Sequence, residues 1–137
     1  MIYVFDSSFI AALIIPDEKN TRVSKMYDKI ENENDKYVPQ LLWYEMANIF
    51  KNLILRKRFT FDEVMRFFPR LAAFQLIGDH ETGIEYSKKL LRLCNDYNLS
   101  SYDAAYLELA ERKNANLCTL DESLHVAAKK YGVAVLE

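Results

Sequence analysis

The chain opens on an unbroken apolar run, Ile2-Tyr3-Val4-Phe5, whose branched and aromatic members suit a strand covered on both faces; it stops at Asp6. Beyond it, apolar residues recur mainly at helical spacing. A short helix is expected from about Ser8, and another from Asn20 to about Glu33, with Val23, Met26, Tyr27 and Ile30 on one face. Tyr37-Val38-Pro39 offers a short strand. From Leu41 to Leu55 the apolar residues, among them Trp43, Met46, Ile49, Phe50 and Leu53, lie nearly all round, which predicts a central, largely covered helix. Thr60-Phe61-Asp62-Glu63 has capping-box spacing, with Phe59 and Val64 placed as a hydrophobic staple, so a further helix starts there. Phe74 to Ile77 reads as a strand. Glu81 to about Asp96 reads as a helix with Ile84, Leu90, Leu91 and Cys94 available to the core. Ser100 or Ser101 can cap the next helix, which carries Ala104, Ala105, Leu107, Leu109 and Ala110. Asn116 to Thr119 is a fourth strand candidate, Glu122 to Tyr131 a last helix, and Val133 to Leu136 a closing strand.

Strands alternating with helices mean a parallel α/β sheet, and the scarcity of glycine and proline, three of each, argues against a turn-dense sandwich or barrel. At 137 residues, half of them hydrophobic, the chain suits one domain with a sizeable core. Cys94 and Cys118 form no disulfide framework or Cys/His array, which fits a reducing cytoplasm. The apolar run from Phe9 to Ile15 is too short to span a bilayer, so no membrane role is expected. A net charge of -2 does not mark a generic nucleic-acid binder, and any such role must rest on local patches.

Candidate chemistry resides in carboxylates. Asp6 closes the first strand and Asp121 follows the fourth, and ligands of open α/β sheets bind at the carboxyl ends of strands. Each could instead be a plain helix N-cap. Glu45 sits among Trp43, Tyr44, Met46 and Ala47, where a carboxylate is costly to bury unless paired, hydrogen-bonded or bound to metal. Asp103 lies early in a helix and could equally serve the helix dipole. Four such acids together would repel and raise one another's pKa unless a cation neutralised them. Oxygen donors without a His or Cys cluster point to Mg²⁺ or Mn²⁺, for which phosphodiester hydrolysis is the natural reaction. His80 and His125 have no ligand spacing and read as ordinary surface or helix-end residues.

Four segments carry a resemblance: Val4-Phe5-Asp6-Ser7-Ser8, Trp43-Tyr44-Glu45-Met46-Ala47-Asn48, Ser101-Tyr102-Asp103-Ala104-Ala105-Tyr106-Leu107-Glu108-Leu109-Ala110 and Thr119-Leu120-Asp121. In order and spacing they resemble the motifs of PIN-domain nucleases, most closely the VapC toxins. The resemblance implies one PIN-like domain over residues 1–137, with a five-stranded parallel sheet flanked by helices. It also implies Asp6, Glu45, Asp103 and Asp121 as the catalytic metal site, with Ser8 and Thr119 as hydroxyls that orient it. RNA as substrate, a homodimer and inhibition by a VapB antitoxin follow from the same likeness. Where some members carry a further acid after the fourth motif, this chain has Ser123 and Leu124, so a second metal would need oxygens from RNA phosphate.

For gripping RNA, Lys51, Arg56 and Arg58, together with Lys88, Lys89 and Arg92, stand as phosphate contacts or as solvated charged faces. Tyr44, Tyr102 and Tyr106 could stack bases or pack. Phe61, Phe67 and Phe68, if exposed, would offer an interface. The alternatives are a PIN nuclease of ribosomal RNA processing or RNA turnover without an antitoxin, and a non-catalytic protein-binding module whose acids are caps and ion pairs. A phospho-acceptor receiver domain fits poorly, since Ser7-Ser8 follow Asp6 and Glu45 lies inside a helix.

Overall fold

The computed structural model describes residues 1–137. The branched and aromatic opening run forms β1 (Ile2–Phe5), buried from Tyr3 onward. Asp6 ends it by capping α1 (Ser7–Ile14), and a 3-10 turn at Pro16–Glu18 leads to α2 (Thr21–Tyr27). That helix is shorter than the expected run to Glu33. The chain turns instead, and Lys36, only 4% exposed, secures the turn by donating to the Asn32 and Asn34 carbonyls at 3.1 Å each. Next come β2 (Asp35–Val38), α3 (Leu41–Leu55), α4 (Phe61–Met65) and α5 (Phe68–Ala73). The Thr60–Glu63 capping box starts α4 with both of its hydrogen bonds made, at 3.0 and 3.2 Å.

β3 is only Ile77–Gly78, not Phe74 to Ile77, because Gln75 adopts a left-handed φ of 54° and extended pairing cannot begin before it. α6 (Ile84–Tyr97) starts after Gly83, whose φ of 100° is incompatible with a helix running from Glu81. α7 (Ser101–Arg112), β4 (Asn116–Cys118) and α8 (Glu122–Tyr131) complete the elements.

All strand pairs are parallel, in the order β3-β2-β1-β4, so the sheet has four strands where five were expected. The closing segment contributes one bridge, Val135 to Leu117, with backbone hydrogen bonds of 2.8 and 2.9 Å. β4 is three residues long and offers the tail no more ladder than that.

From β1 the chain steps outward to β2 and β3, then returns across the sheet to β4 on the other side of β1. Right-handed crossovers therefore put α1 to α5 on one face and α6 to α8 on the other. The contacts agree: α1 packs with α2, α3 and α5, while α7 lies against β1, β2 and β4 beside α6 and α8. On the first face Phe5 meets Phe9 and Phe74 edge-on at 5.0 and 6.1 Å.

Three burial expectations are corrected. α3 is covered along one stripe, Leu42, Met46, Phe50 and Leu53, with Trp43 and Tyr44 exposed. On α6 it is Leu93 that is buried, with Leu90 and Cys94 partly buried against the core as expected, while Ile84 and Leu91 are exposed. Phe67 is buried edge-on against Phe50 and Phe59, leaving Phe61 and Phe68 as the exposed members of that trio.

On the α7 face a buried charge needs partners. Glu108 is 2% exposed and accepts from Lys89 at 3.1 Å and from Arg112 at 2.7 and 3.1 Å. Arg112 also forks onto Asp79 at 2.6 and 3.1 Å, which ties the segment after β3 to α7.

Candidate active site

The chain's progress across the sheet reverses between β1 and β4, and the crevice beyond the carboxyl ends of those two parallel strands is where such sheets place a ligand. Asp6 follows β1 and Asp121 follows β4 into it. Glu45 stands near the start of α3 and Asp103 in the first turn of α7. Asp6, Asp103 and Asp121 thus lie at helix N-termini, where the dipole favours negative charge, while Glu45 sits one turn into α3.

Asp6 is 4% exposed and fully engaged. Its Oδ1 accepts from the Phe9 amide at 2.9 Å and from the Ser8 hydroxyl at 2.7 Å, and its Oδ2 accepts from the Thr119 hydroxyl. Ser8 in turn accepts from the Leu120 amide, and Thr119 from that of Asp121, both at 3.0 Å. These two hydroxyls clasp the ends of β1 and β4 together around one carboxylate. Asp121 caps α8, its Oδ1 accepting from the Ser123 hydroxyl at 2.6 Å and the Leu124 amide at 2.9 Å. Both aspartates are therefore helix caps as well as members of the crevice.

Glu45 is half-buried, with its Oε1 accepting from the Tyr106 hydroxyl at 2.6 Å and the Ser7 hydroxyl also facing it. Tyr106 is 1% exposed, so of the three tyrosines weighed as stacking candidates it is the one that packs. Burial holds its pKa far above the ordinary range, which keeps it a donor to Glu45. Ser7 is an addition to the residues singled out from sequence, and so is the role of Tyr106 as donor to Glu45, since the ring was weighed there only for stacking or packing. The helical spacing of Tyr106 from Asp103, three residues on, was the available signal, because it sets both on one face of α7.

Burial pushes the Asp6 carboxyl up to about 6 against the pull of its hydrogen bonds, and the charge of Asp103 adds to the rise. Glu45 is raised by burial and by Asp103, while the Tyr106 hydroxyl opposes it. Asp103 is raised by burial and by Asp121. Asp121 alone is lowered, by hydrogen bonds from Ser123 and Leu124. None of the four is paired with a lysine or arginine.

An all-oxygen set with mutual repulsion and no basic partner fits a hard divalent cation such as Mg²⁺ or Mn²⁺ by its chemistry. The acids share one crevice, yet no three of them close on a common point as a ligand set. Asp6, Glu45 and Asp121 turn oxygens to hydroxyl and amide donors instead.

The basic candidates are not drawn to the acids. Lys51 and Arg56 lie six and eleven residues beyond Glu45, about 9 and 16 Å along the helix axis. Arg58 is held by Asp17 and Glu18.

A PIN domain model matches residues 3–130 of the chain. The chain belongs to the PIN-domain family. Among its relatives, Ribonuclease VapC3 from Pyrobaculum aerophilum is 29% identical over 124 residues, 90% of this chain and 92% of the relative. The PIN fold is shared with the crystal structure of PAE2754 from Pyrobaculum aerophilum, with a TM-score of 0.71 and 23% identity over 98% of this chain and 83% of that one. FitAcB from Neisseria gonorrhoeae gives 0.70 and 17% over 99% and 97%. A toxin–antitoxin complex from Klebsiella pneumoniae gives 0.60 and 17% over 87% and 86%. At these identities the three structures bear on fold alone.

Two measurements probe the local electrostatics of this PIN domain. Burial holds the Asp6 carboxyl at about 6 in the folded chain, above its ordinary 3.8, so the folded state binds more protons across that window. Its contribution to stability is full below about pH 4 and lost as pH rises through 6; the sign is the same for Glu45 and Asp103 and opposite for Asp121. A shift of that size is worth about 3 kcal/mol at most. Calorimetry of metal-free protein should give a lower Tm at pH 7 than at pH 5, with millimolar Mn²⁺ restoring it at pH 7 and adding little at pH 5. A Tm that rises with pH, or no effect of Mn²⁺ at pH 7, would contradict this account. Second, Tyr106→Phe removes the hydroxyl that holds Glu45 and should lower turnover about tenfold, with the melting temperature within a few degrees of wild type. Unchanged turnover would remove Tyr106 from the site.

Proposed function

We propose that the chain is a divalent-metal-dependent endoribonuclease, the toxin half of a VapC-type toxin–antitoxin pair, hydrolysing RNA phosphodiester bonds with Mg²⁺ or Mn²⁺. The observation that carries the reading is the unneutralised quartet itself: Asp6, Glu45 and Asp103 are raised by burial and neighbouring charge, and none has a basic partner. Purely structural acids would be expected to carry counter-ions, as Glu108 does with Lys89 and Arg112. Support for the substrate and partner comes from the name of the Pyrobaculum relative, a ribonuclease, and from the Klebsiella neighbour, a toxin–antitoxin complex. A VapB-type antitoxin, a homodimer and a cytoplasmic location belong to the same reading; no helix is long and apolar enough to cross a membrane.

In this reading Asp6, Glu45, Asp103 and Asp121 hold the cation. When bound, such a cation activates water and stabilises the leaving oxygen. Ser8 and Thr119 hold Asp6 by hydrogen bonds, and Tyr106 holds Glu45, so binding a cation would exchange some of these donors for the metal. Asp121, whose pKa is lowered, is the acid that stays ionised to the lowest pH.

The test is cleavage of total cellular RNA by purified protein with Mg²⁺ or Mn²⁺, mapped by new 5′ ends, beside an EDTA control. Discrete metal-dependent cuts establish the nuclease. No cuts from folded, antitoxin-free protein would favour a protein-binding module. Cuts by a protein whose genomic neighbourhood holds no antitoxin reading frame would favour RNA processing or turnover.

A further inference from the structure

Two tyrosines flank the acids without being consumed by the core. Tyr44 is 79% exposed and Tyr102 63%, and they precede Glu45 and Asp103 directly in sequence. Both line one open cleft of about 460 Å³ with Leu41, Glu45 and Asn48. Tyr102 is also a wall of an adjoining pocket of about 220 Å³ that includes Gln40, Glu81 and Tyr86. Rings left in water forgo the burial that most aromatic side chains gain on folding, and here two of them border the cleft that holds Glu45.

The charge distribution says what these rings would hold. An RNA strand brought to Glu45 and Asp103 meets carboxylates, while Lys51 and Arg56 lie further along α3 and at its cap, and Arg58, Lys88 and Lys89 are already paired with acids. Phosphate contacts therefore contribute little to affinity at the crevice, and uncharged contacts must supply it. Base stacking on aromatic faces does this without regard to sequence, and the Asn48 amide offers both a donor and an acceptor to a base edge. Bases inside a duplex have their faces covered by their neighbours, so such a platform selects unpaired strands.

We infer that Tyr44 and Tyr102 form a stacking platform that positions bases of the bound RNA strand beside Glu45. This rests on the nuclease reading above. Binding is measured by fluorescence anisotropy with a labelled mixed-sequence 12-mer RNA in Mg²⁺, using Asp103→Asn protein so that nothing is cut. Tyr44→Ala and Tyr102→Ala, each confirmed folded by circular dichroism, should weaken Kd about tenfold apiece, and the corresponding Phe variants should stay within about twofold of the parent. The affinity should fall by less than about tenfold between 50 and 200 mM salt, where a binder relying on many phosphate contacts loses far more. The same RNA annealed to its complement should bind more weakly and ignore the tyrosine changes.

Unchanged Kd in the Ala variants, Phe variants as weak as Ala, steep salt dependence or a parent that binds no RNA would each overturn the platform. So would Ala variants that dissociate a dimer in analytical ultracentrifugation while binding RNA normally, which would assign the rings to a protein contact. Wild-type cleavage of total RNA is judged separately, so loss of the platform leaves the nuclease standing and absence of cleavage leaves the binding result readable.

Discussion

Asp103→Asn should abolish RNA cleavage, by at least about 10³-fold or roughly 4 kcal/mol of transition-state stabilisation, without lowering the melting temperature. Asparagine keeps the shape and removes the charge. Asp103 is the member of the quartet whose charge raises both Asp6 and Glu45 and whose own pKa Asp121 raises. Deleting that charge relieves repulsion at three neighbours, so metal-free variant should melt at or slightly above wild type. An ordinary structural acid would behave in the opposite way, losing stability and keeping activity. Turnover and calorimetry on one preparation separate the two cases, and full activity in the variant would remove Asp103 from the site.

Arg112→Ala should be among the most destabilising single changes outside the apolar core, costing about 3 to 5 kcal/mol, because it leaves Glu108 at 2% exposure short of its main partner. The Asp79 carboxylate loses its fork as well. For a domain of this size such a loss lowers Tm by roughly 10 to 20 °C. Glu108→Leu combined with Arg112→Met should recover most of it, since apolar residues of similar volume replace a buried ion pair at small cost. Urea titrations with an unchanged m value would show the change as one of stability. A double variant as unstable as Arg112→Ala alone would mean that the pairing to Asp79, not the charge on Glu108, was decisive.

Much of the fold was legible in the sequence where one physical signal dominated. Ile2 to Phe5 has no polar interruption and could be little else than a covered strand. Thr60 and Glu63, Ser100, and Asp121 announce helix starts through side chains that compete for backbone amides. The misses occur where tertiary placement decides. Nothing local distinguishes Phe74 to Ile77 from a strand until Gln75 turns left-handed, and Val133 to Leu136 has strand character but only three residues of β4 to meet. On α3 and α6 the apolar residues outnumber the covered positions, so periodicity could not say that Tyr44, Ile84 and Leu91 face water. The four acids were legible through motif order. The bond from Tyr106 to Glu45 was not: spacing sets Tyr106 on the face of Asp103, but only the packing of α3 against α7 brings its hydroxyl to Glu45, and a serine beside a cap reads as a turn residue.

The clasp on Asp6 has a consequence in time. The Thr119 hydroxyl that closes it comes from 113 residues further along the chain, just past the strand that pairs with β1 last in sequence order. Contacts so distant are slow to form and cannot form at all while the later segment is still being synthesised. A nascent chain still short of Thr119 carries Asp6, Glu45 and Asp103 without the strand that docks beside β1, so its crevice has one wall missing. Assembly of the acidic crevice therefore waits until Thr119 has been made and β4 has docked beside β1.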